Sequence, residues 1–178
     1  MRVDRIDVPA ETRAPTGEAA AYVLGESSGV LVDPATRTDE LDDAVRNRSV
    51  DHLAVTHHHP DHVGAVRSYA RAFDLTVWAR AGRTDSFAAA TAVQPDRTYG
   101  PAETITSGVR TLDTPGHTPE HTAFVTPAGA ITGDLVVAEG SVVVAAPAGD
   151  MRAYLSSLRR IHAHDPARLF PAHGPTID

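Results

Sequence analysis

Cysteine and lysine are both absent from this 178-residue chain. Without cysteine, the protein can form neither disulfide bonds nor thiolate bonds to a metal. Its 16 basic residues are therefore all arginines, and 23 acidic residues give a formal net charge of −7. This balance excludes a broad electrostatic attraction to nucleic acid, although a local arginine patch beside a cleft is left open.

Long apolar runs are also lacking. No stretch approaches the roughly 20 apolar residues that a membrane-spanning helix requires, and residues 1–8 alternate charged and apolar side chains, unlike a signal peptide. We therefore expect a cytoplasmic protein with no membrane partner. A chain of 178 residues predicts one domain, residues 1–178, around a single core.

Histidines are concentrated in one run, Thr56-His57-His58-His59-Pro60-Asp61-His62, which follows the apolar residues 53–55. Imidazole and carboxylate are preferred ligands of Zn²⁺ and similar divalent ions. In an extended segment, the side chains of His57 and His59 leave the backbone on the same face. Pro60 favours that extended conformation at the residue before it. This spacing predicts that the two imidazoles bind one metal ion.

The end of the same run predicts a second metal ion. Asp61 and His62 lie where a following helix should begin, so their side chains can face a different point. His58 should point away from its neighbours, and we expect it to be a non-ligand that is exposed or lies behind the ligands. A solvated polar loop is the alternative for three adjacent histidines, but Asp61 and His62 at these offsets favour metal binding.

Three later segments place similar side chains at predicted strand ends: residues 114–121, 130–134 and 169–175. Each carries a histidine or aspartate after a short apolar stretch and beside turn residues. Taken singly, such a residue is more often a hydrogen-bonded loop residue or a helix cap. Their occurrence in this order, together with the histidine run, favours a shared metal site.

This ordered set resembles the metallo-β-lactamase superfamily. The family's His-x-His-x-Asp-His signature corresponds to residues 57–62. Its later histidine corresponds to His117, its bridging aspartate to Asp134 and its last histidine to His173. An aspartate after an earlier strand corresponds to Asp33, so the resemblance runs from there to Pro175.

The resemblance implies an α/β fold of four layers, αββα, in which two mixed β-sheets are flanked by helices. It also implies two divalent metal ions, with zinc expected and iron or manganese left open. One ion would be held by His57, His59 and His117, the other by Asp61, His62 and His173, with Asp134 bridging them. Larger relatives continue into C-terminal helices that help to bind substrate, and the single domain expected here lacks that extension.

Two further residues are expected to support the site. Asp33 should hold the histidine loop from behind. His121 follows His117 closely enough to do the same, and a plain surface position is the alternative for it.

Local patterns predict the secondary structure around these segments. Strands are expected near residues 3–8, 20–24, 30–33, 53–56, 75–79, 109–113, 122–125 and 131–132. Three helices are expected. The first covers residues 38–45 with Thr38 or Asp39 as its N-cap, and the others cover residues 62–73 and 150–163. In the last of these, Leu155, Leu158 and Ile161 are expected to form a core-facing stripe.

Two divalent ions a few ångströms apart lower the pKa of a bridging water and polarise the electrophile. We therefore expect a hydrolase that uses a metal-bridging hydroxide on an ester, thioester or phosphodiester, with Asp61 orienting the hydroxide as a catalytic residue. Redox chemistry at iron is a rival within the superfamily. A non-catalytic metal-binding module and a homo-oligomer are both left open.

The substrate is open between two classes. Residues 56–62 are similar to glyoxalase II-like thioesterases, and thioester cleavage needs no general acid. Four segments, residues 114–121, 132–134, 149–158 and 169–175, are similar to the lactamase-beta-like hydrolases, which include an endoribonuclease acting on single-stranded RNA. Antibiotic hydrolysis is disfavoured, because true zinc β-lactamases commonly lack the bridging carboxylate that Asp134 supplies.

Overall fold

The computed structural model describes residues 1–12 and 16–178. Within these ranges the chain forms eleven strands and five helices. The strands are β1 Val3–Pro9, β2 Glu18–Leu24, β3 Gly29–Val32, β4 Val50–Ala54, β5 Thr76–Arg80, β6 Arg97–Tyr99, β7 Thr104–Thr106, β8 Val109–Asp113, β9 Thr122–Thr126, β10 Gly129–Gly133 and β11 Leu169–Pro171. The helices are α1 Asp39–Asn47, α2 Pro60–Val63, α3 Val66–Phe73, α4 Thr84–Thr91 and α5 Met151–His164.

The strands make two mixed sheets. The first has the order β1-β2-β3-β4-β5-β6, antiparallel as far as β3 and parallel beyond it. The second has the order β11-β10-β9-β8-β7, with only the β10–β11 pair parallel. The predicted pair of mixed sheets is confirmed.

Apolar side chains fill the space between the layers. Tyr22, Phe124 and Ile131 are buried between the two sheets. Residues of α1, α3 and α4 pack on the outer face of the first sheet, with Phe87 fully buried. Ile161 of α5 packs on the outer face of the second sheet. Burying each such side chain contributes roughly 1.5–3 kcal/mol, and the four layers confirm the predicted αββα fold.

The helix predicted over residues 62–73 is wrong in its continuity. The chain instead forms α2 and α3 with a break at Gly64, where a β-carbon would lie 2.4 Å from the carbonyl oxygen of Ala35. The Ala65 amide donates to the carbonyl of Pro34 at 2.9 Å. This close approach to the segment after β3 turns the chain, so α2 is a single turn that begins at Pro60.

The predicted stripe on α5 is also partly wrong. Leu155 is 46% exposed, whereas Ser157 and Ile161 are buried. Residues four apart share a helix face, and Leu155 precedes Ser157 by two positions, which places it on about the opposite side. The rest of the α5 prediction is confirmed, since Asp150 caps the helix and accepts from the Arg152 and Ala153 amides at 2.8 and 3.0 Å. No helix in the described ranges combines the length and the apolarity that crossing a bilayer requires.

Candidate metal centre

The histidine run lies at the carboxyl end of the first sheet. Strands β3 and β4 are parallel, so Asp33, which follows β3, lies beside Thr56, which follows β4. Asp33 has a left-handed backbone conformation, φ 52°. Its Oδ1 accepts from the Thr56 amide and its Oδ2 from the Thr56 hydroxyl, both at 2.6 Å. The buried carboxylate thus fixes the start of the histidine run, residues 56–62, as the sequence predicted.

The second sheet brings its own side chains to the same edge. His117 follows β8, Asp134 directly follows β10 and His173 follows β11. At the end of β10, Gly133 has φ +49°, and a β-carbon there would lie 2.5 Å from the Thr56 hydroxyl oxygen. Only glycine allows so close an approach, which lets Asp134 reach the histidines of the first sheet.

One group of donors consists of His57, His59, His117 and Asp134. His59 Nδ1 lies 3.0 Å from His57 Nε2 and 3.1 Å from His117 Nε2. Asp134 Oδ2 lies 3.3 Å from His117 Nε2 and 3.8 Å from His57 Nε2. Four ligands in a tetrahedron with bonds of about 2.0 Å stand about 3.3 Å apart, so this group has the size of a zinc site.

A second group consists of Asp61, His62 and His173. His173 Nε2 lies 3.4 Å from Asp61 Oδ2, and His62 Nε2 lies 4.0 Å from Asp61 Oδ1. The other carboxylate oxygen of Asp134, Oδ1, lies 3.6 Å from His62 Nε2 and 3.5 Å from His173 Nε2. Asp134 therefore turns one oxygen towards each group.

Two buried atoms in this cluster lack a hydrogen-bond partner among the described residues, His62 Nε2 and Asp134 Oδ1. A buried polar atom without a partner costs roughly 1–3 kcal/mol. A cation bound between them would satisfy both. The donor set and its spacing therefore fit a pair of divalent metal ions.

Residues 14–173 match the family model described as the metallo-beta-lactamase superfamily. The chain belongs to this superfamily. The crystal structure of TTHA1623 in a di-iron-bound form is similar over 96% of this chain and 94% of that one, with 28% identity and a TM-score of 0.76.

Two curated relatives from the superfamily show the same likeness. The beta-lactamase-like protein 2 homolog of Drosophila melanogaster is 32% identical over 88% of this chain. The hydroxyacylglutathione hydrolase of Nitrobacter winogradskyi is 32% identical over 57% of this chain. The matches cover 59% of the first relative and 44% of the second.

Hydrogen bonds at Nδ1 orient four histidines of the two donor groups. When Nδ1 carries the imidazole proton and donates a hydrogen bond, Nε2 has a free lone pair that can bind a metal. Four histidines have an oxygen near Nδ1: His57 has Thr56 Oγ1 at 3.1 Å, His62 has Asp33 Oδ2 at 2.9 Å, His117 has the Val143 carbonyl at 2.7 Å and His173 has the Glu18 carbonyl at 3.0 Å. In all four the Nε2 atom faces the donor cluster.

The protonation states also suit metal ligands. Burial and the surrounding histidines hold the pKa of His57 well below its usual range, so this imidazole is neutral at neutral pH. Burial alone would lower the pKa of His62, but the carboxylates of Asp33, Asp134 and Asp61 raise it to about 9 in the metal-free protein. A metal that binds His62 must therefore displace a proton.

Asp61 is a carboxylate at neutral pH. Burial alone would raise its pKa, but a hydrogen bond from His173, the nearby His62 and a hydrogen bond from Thr12 together hold that pKa well below its usual range. An ionised carboxylate can bind a cation and accept hydrogen bonds.

The remaining histidines of the two loops lie behind the donors. His58 is half-buried and its ring packs on Phe87, with 5.5 Å between ring centroids. His121 is fully buried, with Nδ1 2.8 Å from Thr114 Oγ1, so the surface alternative for it is wrong. Glu120 was not singled out from the sequence, yet its Oε1 accepts from the His58 amide at 3.2 Å. Its position between His117 and His121 is the one sequence signal that could have drawn attention to this residue, although nothing local indicates its contact with His58.

Proposed function

We propose that the protein is a hydrolase that uses two divalent metal ions, with zinc as the expected metal, to cleave a small-molecule thioester or ester. The observation that carries this proposal is the carboxylate of Asp134, which turns one oxygen to each of two donor groups. The proposed ligands are His57, His59 and His117 for one ion, Asp61, His62 and His173 for the other, and Asp134 for both.

When bound, such a pair lowers the pKa of a coordinated water towards neutrality and polarises a carbonyl oxygen. The chain's own contribution is to hold seven donors in place before the substrate arrives. Asp61, ionised and beside both His62 and His173, is placed to accept a hydrogen bond from the attacking water. It thereby orients the oxygen lone pair towards the substrate carbonyl.

The choice of a thioester rests on the leaving group. A thiol has a pKa near 8.5, so the thiolate leaves without a proton from the enzyme, whereas an alkoxide does not. The hydroxyl of Tyr154 on α5 already donates to the Leu135 carbonyl at 2.8 Å, so its proton is engaged there and is not offered to a leaving group. The hydroxyacylglutathione hydrolase similar to this chain is named for a thioester substrate, which supports the same choice.

Metal content and activity together test the proposal. Protein purified without chelators should carry about two metal ions per chain by elemental analysis. It should hydrolyse a glutathione thioester faster than a generic phosphodiester, single-stranded RNA or a chromogenic β-lactam. His59→Ala should lose metal and activity, and His164→Ala, which removes an exposed histidine at the end of α5, should lose neither.

Several outcomes would contradict it. Protein that binds no metal would remove the catalytic proposal altogether. Cleavage of single-stranded RNA without thioester activity would favour the nuclease alternative. Two bound metals with no hydrolysis of any substrate class would favour a non-catalytic metal-binding module.

A further inference from the structure

One of the two peptides between the proposed metal ligands His57 and His59 donates a hydrogen bond to a distant carboxylate. The amide of His58 belongs to the peptide bond between His57 and His58, and it donates to Glu120 Oε1 at 3.2 Å. The Glu120 side chain is only 11% exposed, and the same oxygen lies 3.7 Å from His58 Nδ1. A nearly buried carboxylate of the loop between β8 and β9 thus contacts the loop after β4, 62 residues away in the chain.

We propose that Glu120 is a positioning residue that clamps this loop and so fixes the distance between His57 Nε2 and His59 Nδ1, which is 3.0 Å. The inference rests on the proposed metal-binding function. Glu120 does not touch a proposed ligand atom in any described contact, so its effect would pass through the backbone.

The loop is held at both ends, which leaves its middle as the part that needs a clamp. At the start, the Thr56 carbonyl accepts from the Thr122 amide at 2.9 Å. At the end, the His59 carbonyl accepts from the His62 amide at 2.9 Å, which closes the turn of α2. Rotation of the peptide between His57 and His58 would move the two imidazoles relative to each other. The carboxylate oxygen of Glu120 opposes that rotation.

The clamp is itself fixed in place. The Glu120 carbonyl accepts from the Thr122 hydroxyl at 3.1 Å. The preceding turn is closed by the Thr118 carbonyl, which accepts from the Gly116 amide at 3.0 Å and the His121 amide at 3.4 Å. A side chain on such a turn can hold its partner without first becoming ordered. Because the turn also carries His117, one carboxylate couples ligand segments of both sheets.

Zinc affinity of three Glu120 variants and a control tests the clamp. Glu120→Met keeps the length of the side chain but removes the acceptor, and Glu120→Gln keeps a carbonyl that can accept from the His58 amide. Glu120→Asp keeps the charge but withdraws the oxygen by one methylene. The control is Glu103→Met, since Glu103 Oε2 also accepts a backbone amide, that of Gly100 at 2.7 Å, outside the donor cluster.

Competition with a chromogenic chelator would give the apparent Kd and the release rate of zinc. Loss of a group that orients a metal ligand typically weakens binding about 10- to 100-fold. We expect Glu120→Met to weaken zinc at the His57–His59–His117 group by about tenfold and Glu120→Asp to weaken it less. Glu120→Gln and Glu103→Met should stay within about twofold of the wild type, a difference well below the effect of a lost orienting group.

Three results would overturn the inference. The first is wild-type affinity in Glu120→Met and Glu120→Asp. The second is a zinc affinity of Glu120→Gln as low as that of Glu120→Met, because the charge of Glu120, and not its hydrogen bond, would then matter. The third is a loss of metal-free stability in urea with no change in zinc affinity. If Glu120→Met fails to fold, the comparison of Glu120→Asp with Glu120→Gln decides. Failure of the wild type to bind zinc would instead refute the proposed function.

Discussion

Replacing Asp33 with asparagine should lower the protein's affinity for the metal ion nearest His62 and leave the other ion bound. The Asp33 carboxylate accepts three hydrogen bonds, two from Thr56 and one from His62 Nδ1. Asparagine is similar in size and tolerates the left-handed backbone about as well as aspartate. The substitution therefore changes the hydrogen bonding and leaves the backbone in place.

The asparagine amide cannot reproduce these contacts. With its NH₂ towards His62, the Nδ1 atom must become the acceptor, and the imidazole proton moves to Nε2. That nitrogen then has no lone pair for a metal. With its carbonyl towards His62, the NH₂ faces the amide of Thr56, and two donors meet in a buried place. The first orientation disfavours the metal-binding form of His62, and the second keeps that form only at the cost of two donors facing each other in a buried place.

The size of the effect follows from what His62 contributes. It is one of three donors that belong to the second group alone, beside the shared Asp134. Loss of a group that orients a metal ligand typically costs 10- to 100-fold in affinity, or about 1.4–2.8 kcal/mol at 1.4 kcal/mol per tenfold. The His57–His59–His117 group meets Asp33 only indirectly, through the Thr56 hydroxyl that lies 3.1 Å from His57 Nδ1, so its affinity should fall by less than that of the second group.

Stepwise zinc titration against a chelator separates the two sites, and elemental analysis after dialysis counts the ions retained. Asp42→Asn is the matched control. Asp42 is also a buried aspartate, but its Oδ2 pairs with Arg37 Nη2 at a distance of 2.7 Å, and it belongs to neither donor group. It should lose stability and keep both ions. Equal weakening of both sites in Asp33→Asn, or no weakening at all, would refute the tautomer argument.

Asp134→Asn should lower affinity at both groups, seen as fewer than two ions per chain by elemental analysis, and full occupancy would remove Asp134 from the ligands. Metal-free protein should lose stability in urea as the pH rises from about 6.5 to about 9, because His62 is protonated in the fold up to the pKa of about 9. That loss amounts to about 3 kcal/mol, and a flat profile would contradict it. Phe124→Ala, which removes a fully buried ring between the sheets, should cost about 3–5 kcal/mol in urea unfolding, and a cost below about 1 kcal/mol would contradict the described core.

The proposed ligands could be found from sequence because chemistry restricts them to few residue types. Histidine and aspartate at fixed offsets predicted metal binding by residues 57–62, and the resemblance to a family supplied His117, Asp134 and His173. The structure brings all seven into two adjacent groups. Asp33, which follows a buried strand, was found through the same resemblance. The αββα architecture came with the motif, through the resemblance to a family.

Short and weakly patterned elements could not be found. Strands β6 and β7 have three residues each, too few to show an alternating pattern. Helix α4 begins at Thr84 after Arg83, which makes no side-chain cap, and Phe87 is its only large apolar residue. Tertiary packing, and not local preference, determines these elements.

Glu120 shows a different limit. Its contact joins two loops that are 62 residues apart in the chain, and no local pattern relates them. The break at Gly64 is similar, because it results from the Ala35 carbonyl of a neighbouring segment. Such contacts follow from the assembled sheets, so only the structure could show them.

The proposed ligands are divided between the two sheets, four from the loop after β4 and three from the ends of β8, β10 and β11. Ions bound there would cross-link the two sheets of the sandwich. Ligand-linked stabilisation reaches about 2.7 kcal/mol when free zinc is 100 times the Kd. Zinc supply would then influence the fraction of molecules that is folded.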